Sequence, residues 1–540
     1  MASIFKEEVN RLKKWLSLSG SENRPRRVEL VFWAVITALA YFPLGTGWLA
    51  WFALARPLLL LGPLGPRRAF ASGYLYSLVF NALALYWIGY VTPPGYLAAI
   101  AILSLYPALI FAIFSAIYKR HTQAALLIFP ILWVGLEYFR GLGEFSFPWT
   151  DFSYSQAYYL YFIQIASITG AAGVTFIVTL ANSCLALALR PGILGERRMT
   201  YTAAAVIVIG SSFAYGWVVT PVLTSPPEIR LALLQGNFPL ETKWSPDKKD
   251  HVFAVYDSLA RSAGEKGARL IVWPETAAPT YLLLDKEYVR QHSAGARQSG
   301  VPNLIGTLHV DRSAGQKRHF NAAVQLEADG SMSAPYLKRR LVPFAEQVPY
   351  QNKLPFLKRS FLEKYLTFIK TYDVQWWSDF YPGDSTILLQ FDDVQYVPFI
   401  CFEVAYPEYV RQTLRSGAQF ILTITNDTWF KKSPGPFQHE RIAIMRAVEN
   451  RVWLARCANS GFTFFADTYG RKRERMEWYT RGYIIGEVNR HYHPSTFYRQ
   501  GQVMARLCFI FTTLCGFFFL FLKIGKRFGL WIGRQRRSDV

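Results

Sequence analysis

Three short stretches set an ionisable or nucleophilic residue at or near the end of an apolar run. In VPFICFEVAYPE (397–408) Cys401 closes the run and Glu403 follows two residues later; in LIVWPETAAP (270–279) Glu275 comes straight after Trp273 and Pro274; and APYLKRRLVPFAEQVP (334–349) carries Lys338 and Glu346. Each has an ordinary structural explanation when taken singly. A free cysteine packs as a small hydrophobe, and a Glu before a Pro-containing loop or a Lys-Arg-Arg triplet is commonly solvated. As a set they supply what acyl transfer through a thioester requires. A thiol of pKa about 8.5 needs a base or a positive neighbour to become a competent nucleophile, and a carboxylate can take its proton and later return it. The tetrahedral intermediate then needs fixed positive charge and backbone N–H donors, and the Lys338 ammonium is of the right kind.

These residues sit in a region patterned as alternating strands and helices. Apolar, β-rich runs recur at 229–237, 268–275, 302–310, 320–328, 386–403, 418–427 and 461–470. Several are apolar throughout, as strands buried on both faces are. Helical patterns lie between them, KDHVFAVYDSLARSAGEKG before the second run and GPFQHERIAIMRAVENRVWLARCA after the sixth. The expectation is an α/β catalytic domain over 228–495 with its own core.

The flanks read as membrane. With 540 residues of which 51% are hydrophobic, the chain is too apolar for an ordinary soluble protein. Uncharged stretches at 30–55, 69–118 and 152–189, further apolar segments near 124–140 and 201–219, and a last one at 503–522 predict about eight spans, seven before the catalytic domain and one after it. The expected division is 1–27 basic N-terminal segment, 28–227 membrane domain, 228–495 catalytic domain, 503–523 last span and 524–540 basic tail. The net charge of +22 is not a nucleic-acid signature: 228–495 holds 35 Lys+Arg against 28 Asp+Glu, while the flanks hold 24 against 9. Basic clusters precede the first span and follow the second, fourth, sixth and eighth, which puts both termini in the cytoplasm and 228–495 across the membrane. The five cysteines lack CxxC spacing, so neither a disulfide framework nor a metal site is expected.

In chain order, VWPETAAP, YLKRRLVPFAEQVP and ICFEVAYPE resemble the three signatures of the carbon–nitrogen hydrolase, or nitrilase, superfamily, with TNDTWF (425–430) following. That superfamily implies an αββα sandwich with a Glu–Lys–Cys triad. A nitrilase-like domain between seven spans and one resembles the apolipoprotein N-acyltransferase family, as do QGNFPLETKW (235–244) and GPFQHERIAIMRAVE (435–449). The resemblance implies Glu275 as general base, Cys401 as acylated nucleophile and Lys338 as oxyanion-stabilising cation. It makes Glu346 and Glu403 supporting acids and Trp244 part of a substrate gate. Phe402 stands where the family pattern has tyrosine, and its backbone N–H still serves the oxyanion. The implied reaction is ping-pong: an acyl chain passes from a membrane phospholipid to Cys401, then to the N-terminal amine of a diacylglyceryl-cysteine apolipoprotein, with no cofactor, at the outer face of a bacterial inner membrane.

Two aromatic-rich segments, 144–162 and 359–377 with Trp376 and Trp377, are expected at the bilayer interface and as lipid-holding or gating elements. His439 follows Gly-Pro at a helix start, where capping or hydrogen bonding explains it better than catalysis. Cys457 is expected to pack in the core, Asn426 and Asp427 to shape the loop beside the nucleophile, and RKRER (471–475) to form a solvated turn. Two other functions compete. A membrane-anchored amidase would share the chemistry up to the thioester and use water as acceptor; a transporter or scaffold with a degenerate domain is opposed by the intact Glu275, Lys338 and Cys401.

Overall fold

This computed structural model describes residues 24–221, 228–243, 245–312, 317–351, 353–357, 361, 380–490 and 493–538. The N-terminal helices are α1 (Arg24–Leu39), α2 (Ala55–Leu61), α3 (Pro66–Ala84), α4 (Pro93–Tyr118), α5 (Thr122–Arg140), α6 (Ala171–Leu189) and α7 (Gly195–Val219). Six described segments are long and apolar enough to cross a membrane: Thr46–Leu64, which contains α2, then α4, α5, α6, α7 and Val503–Leu522. The other two expected spans fall in α1, of 16 residues, and in α3, which opens on Pro66-Arg67-Arg68. Thr92-Pro93-Pro94-Gly95 starts α4 rather than merely dividing two spans. The Thr92 side chain accepts from the Gly95 N–H, and the prolines occupy first-turn positions where no helical N–H is needed. The sixth expected span resolves into α6 preceded by short helical turns at Phe152–Ser155, Leu160–Ile163 and Ala166–Thr169.

The catalytic domain is an αββα sandwich. One sheet has the order β13-β1-β2-β3-β4-β5, the other β12-β11-β10-β9-β8. Their strands are β1 (Ile229–Gln235), β2 (Leu270–Val272), β3 (Asn303–Asp311), β4 (Arg318–Leu326), β5 (Tyr336–Leu337), β8 (Pro398–Ile400), β9 (Ile421–Thr425), β10 (Leu454–Ala458), β11 (Thr463–Ala466), β12 (Lys472–Met476) and β13 (Gly482–Val488); β6 (Leu389–Phe391) and β7 (Val394–Tyr396) form a separate hairpin. Helix α8 (Lys249–Glu265) lays Phe253 and Tyr256 against Trp273 outside the first sheet. The second sheet carries α9 (Pro407–Arg415) and α10 (Gly435–Asn450). Cys457 is buried between the sheets, its thiol donating to the carbonyls of Leu234 and Val272.

Three local expectations change. The helical pattern of 435–458 ends at Asn450, where Arg451 takes a left-handed conformation (φ 56°), and 454–458 becomes β10, parallel to β9. A strand buried on both faces is as apolar as a buried helix, so periodicity does not separate the two. The 386–403 run is cut into β6, β7 and β8, with Asp392 at φ 48° turning the chain between the first two. RKRER is no turn: it lies mostly in β12, an exposed edge strand whose charges discourage further strand pairing.

Helix α10 joins the two domains. Gln438 accepts from the indole N–H groups of Trp87 (3.0 Å) and Trp149 (2.8 Å) and donates to the Ala84 carbonyl (3.0 Å). Arg441 donates to the carbonyls of Tyr41 and Phe42, and Glu449 accepts the Ala171 N–H at the start of α6 (2.7 Å). A carboxylate there also meets the positive end of the helix dipole. The last helix, α11 (Val503–Ser538), packs on α5.

Candidate active site

Each triad candidate lies just beyond a strand end. Glu275 lies three residues past β2, in a loop that turns at Thr276 (φ 47°). Gly306 of β3 runs under that loop, and a Cβ there would come within 2.2 Å of the Pro274 carbonyl oxygen. Lys338 follows β5 directly, its backbone N–H donating to the Asn321 carbonyl (2.9 Å). Cys401 follows β8 and opens a short 3₁₀ turn at φ 52°, a conformation that non-glycine residues adopt only when their surroundings enforce it.

The side chains converge in one buried cluster. Glu275 Oε1 accepts from Asn321 Nδ2 (2.7 Å) and Lys338 Nζ (3.4 Å), and its Oε2 accepts from the Asn426 backbone N–H (2.9 Å). Lys338 Nζ lies closer to Glu346 Oε1 (2.8 Å), and Asn321 Nδ2 also donates to Glu346 (3.1 Å). Two carboxylates thus face one ammonium. Burial works against the Lys338 charge, but Glu346, Glu275 and Cys401 outweigh it and hold the ammonium well above the ordinary lysine range. Burial, followed by the Glu275 charge, pushes the Cys401 thiol up, with Lys338 opposing. The resting nucleophile is therefore a thiol beside a carboxylate, an arrangement that calls for proton removal during attack.

Glu403 does not face the reacting groups. Its oxygens accept from the backbone N–H groups of Arg339 (2.7 Å), Arg340 (3.3 Å) and Ile400 (2.7 Å) and from the Tyr336 hydroxyl (2.8 Å). It ties the lysine strand to the cysteine turn. The Phe402 ring stacks on Phe147 and Trp149, with centroids 5.4 and 5.9 Å away, inside an aromatic group from the membrane domain. Trp244, Trp376 and Trp377 lie outside the described residues.

Glu275, Lys338, Glu346 and Cys401 line a cavity of about 830 Å³. Glu241, Ser245, His319 and Asn321 add polar groups, whereas Ile88, Val91, Ala99, Ile102 and Leu103 of the membrane domain, with Phe147, Trp149 and Phe430, line it with apolar surface. The 144–162 segment thus contributes to the cavity, as expected, through Phe145, Phe147 and Trp149.

Sequence reasoning missed three groups. Asn321 looked like one more strand residue, although an amide side chain inside an apolar run was a signal. Lys243 is buried and donates to the Glu275 carbonyl (2.8 Å) and Thr276 Oγ1 (2.6 Å); burial, opposed by Glu275, lowers it to about 7. Arg456 sits in β10 and pairs with Asp427 (2.8 Å), which also faces His439 (3.0 Å). An arginine in the middle of Leu-Ala-Arg-Cys-Ala was the mark of a buried partner. Despite burial, the Arg456 charge holds Asp427 at about 2.

Residues 33–184 match the family model of the apolipoprotein N-acyltransferase N-terminal domain, and 230–496 match that of the carbon–nitrogen hydrolases. The apolipoprotein N-acyltransferase of Geobacter metallireducens is 33% identical over 501 residues, which cover 90% of this chain and 94% of that protein. The Chlorobaculum tepidum protein of the same name is 29% identical over 472 residues, covering 82% and 86%. Among solved structures, an amidase from Nesterenkonia sp. aligns at 18% identity with a TM-score of 0.34, covering 53% of this chain and 98% of that one.

Proposed function

The chain belongs to the apolipoprotein N-acyltransferase family, and on that premise we propose how its own residues divide the chemistry. As a membrane acyltransferase of the carbon–nitrogen hydrolase superfamily, it acylates lipoproteins, and its family speaks for transfer to an amine over hydrolysis. We take the donor to be a membrane phospholipid. Cys401 Sγ attacks the acyl ester carbonyl as Glu275 takes the thiol proton. The oxyanion is met by Lys338 Nζ and the Phe402 N–H; when it collapses, the lysophospholipid leaves with the proton from Glu275 and the acyl chain stays as a thioester. The α-amine of a diacylglyceryl-cysteine then attacks, Glu275 takes its proton, and that proton returns to the departing Cys401 thiolate. Glu346 steadies Lys338, and Glu403 locks the two backbones that present Lys338 and Cys401.

The observation that carries this reading is a cavity in which a Glu–Lys–Cys cluster meets an apolar wall of membrane-domain side chains. Both substrates are anchored by acyl chains, and exposing such a chain to water costs about 0.8 kcal/mol per CH₂. We place the enzyme in a bacterial inner membrane, with 228–495 on the periplasmic side, both termini cytoplasmic and α1 and α3 completing the spans. Trp244, Trp376 and Trp377 are assigned to the gate from the sequence. Trp376→Ala or Trp377→Ala is expected to slow use of the acyl donor.

Intact-protein mass spectrometry after mixing the enzyme with phospholipid tests the core of this. The wild type is expected to gain one fatty-acyl mass, Cys401→Ala none, and the adduct to disappear on adding a diacylglyceryl peptide. Hydrolysis of small amides without any adduct from phospholipid would overturn it.

A further inference from the structure

His439 is fully buried beneath the nucleophile and has no part in the proton transfers above. Its Nε2 lies 3.1 Å from the Cys401 backbone carbonyl oxygen, which can only accept, so Nε2 must carry a hydrogen. Its Nδ1 lies 3.0 Å from Arg456 Nη2, which can only donate, and 3.0 Å from Asp427 Oδ1. Asp427 already accepts from Arg456 through Oδ2 (2.8 Å) and from the Thr425 hydroxyl through Oδ1 (3.0 Å). Burial and the Arg456 charge push His439 below its ordinary range, with Asp427 opposing. A neutral imidazole with its hydrogen on Nε2 donates to the Cys401 carbonyl and accepts from Arg456 Nη2 at Nδ1, while Nη2 also donates to Asp427 Oδ2. The rings of Trp149 (centroids 5.2 Å apart) and Phe430 (6.1 Å) hold the imidazole in place.

The Cys401 carbonyl and the Phe402 N–H belong to one rigid peptide unit. We propose that His439 is a positioning residue for the oxyanion: its Nε2–H, bonded to the Cys401 carbonyl, fixes the plane of the 401–402 peptide and aims the Phe402 N–H at the developing negative charge. The bond acts in two ways. It holds a peptide whose cysteine sits at a costly positive φ, and accepting a hydrogen bond at C=O strengthens N–H as a donor on the other side of the same unit. Arg456, held by Asp427, donates to Nδ1 and so leaves Nε2 as the protonated nitrogen. The inference rests on the thioester reading of Cys401.

The test compares wild type, His439→Gln and His439→Met in single-turnover acylation by phospholipid, read as acyl-enzyme mass against time. Glutamine carries a terminal amide donor, while methionine fills similar volume without one. His439→Met is expected to slow acylation about 10–100-fold at unchanged half-saturating phospholipid, since small misplacements at a reacting centre cost that much, and to slow aminolysis of the thioester as well. His439→Gln should recover most of the rate. Equal rates for all three, or a glutamine variant as slow as the methionine one, would overturn the proposal while leaving Cys401 acylation intact. Should neither variant fold, ¹⁵N spectra of the wild type decide: a His439 resonance of the Nδ1–H tautomer sinks the idea, and one bearing hydrogen on Nε2 supports it. Absence of acylation in the wild type itself would instead strike the underlying reading.

Discussion

At the scale of single residues, the site is a balance of two carboxylates against one ammonium, and Asn321 keeps the carboxylates apart in role. Its amide donates to Glu275 Oε1 and to Glu346 Oε1 at once. Asn321→Leu is expected to lower the acylation rate about 10–100-fold, because both carboxylates lose the donor that fixes them; stopped-flow or quenched acylation assays check it, and an unchanged rate would show that backbone contacts alone hold Glu275. Lys243 makes a different prediction. Its ordinary value is 10.5 and its value here about 7, so between those pH values the unfolded chain holds a proton that the folded chain has released. Stability of the wild type therefore falls as pH drops from about 10 to about 7, and Lys243→Met escapes that loss. The Tm of Lys243→Met minus that of wild type should widen over this window and level off below it; a gap constant with pH would contradict the assignment. Both residues show where reading the sequence stops. Glu275, Lys338 and Cys401 were visible because each ends an apolar run beside a signature, and the structure brings their side chains to one cavity. Asn321 and Lys243 act through geometry across strands and loops; the amide of Asn321 inside an apolar run signals burial without naming its partners, and nothing beside Lys243 along the chain announces one.

At the scale of elements, α10 does two jobs that its sequence hid. Its almost complete burial, rather than an amphipathic stripe, follows from packing between a sheet and the membrane helices. Gln438 is its pivot, accepting from two buried indoles, Trp87 and Trp149, that also line the cavity holding Cys401. Gln438→Leu leaves both N–H groups unpaired, at about 1–3 kcal/mol for each buried donor. We expect a Tm several degrees lower, and a steeper loss of activity than stability alone explains, because Trp149 stacks on Phe402 beside the nucleophile. Parallel thermal unfolding and acylation measurements separate the two effects, and retention of both would mean that water replaces the glutamine. The boundary of α10 was unreadable for a related reason. Where burial surrounds a segment on all sides, helix and strand share one apolar pattern, and the turn at Arg451 offers no glycine or proline to mark it.

At the scale of the whole molecule, six described segments able to cross a membrane make sense if the membrane domain does more than anchor. A single helix would hold a hydrolase at a surface. Here Ala99, Ile102 and Leu103 of α4, with Ile88 and Val91 just before it, form a wall of the same cavity that holds Cys401. In the proposed reaction the sandwich supplies the chemistry, and the membrane helices supply the solvent for the chain that is moved. Each methylene kept out of water is worth about 0.8 kcal/mol, so the wall contributes most for long chains and little for short ones. Ala99→Phe puts a ring into that wall without touching the triad. Thioester formation from a long-chain phospholipid is expected to fall at least about tenfold, the equivalent of roughly two methylenes lost from the apolar site, while a short-chain donor reacts at close to the wild-type rate. Competition between the two donors, read by the mass of the acyl-enzyme, gives the ratio within one sample. An equal drop for both would mean that the substitution distorts the triad, and no change for either would place the acyl chain along another wall.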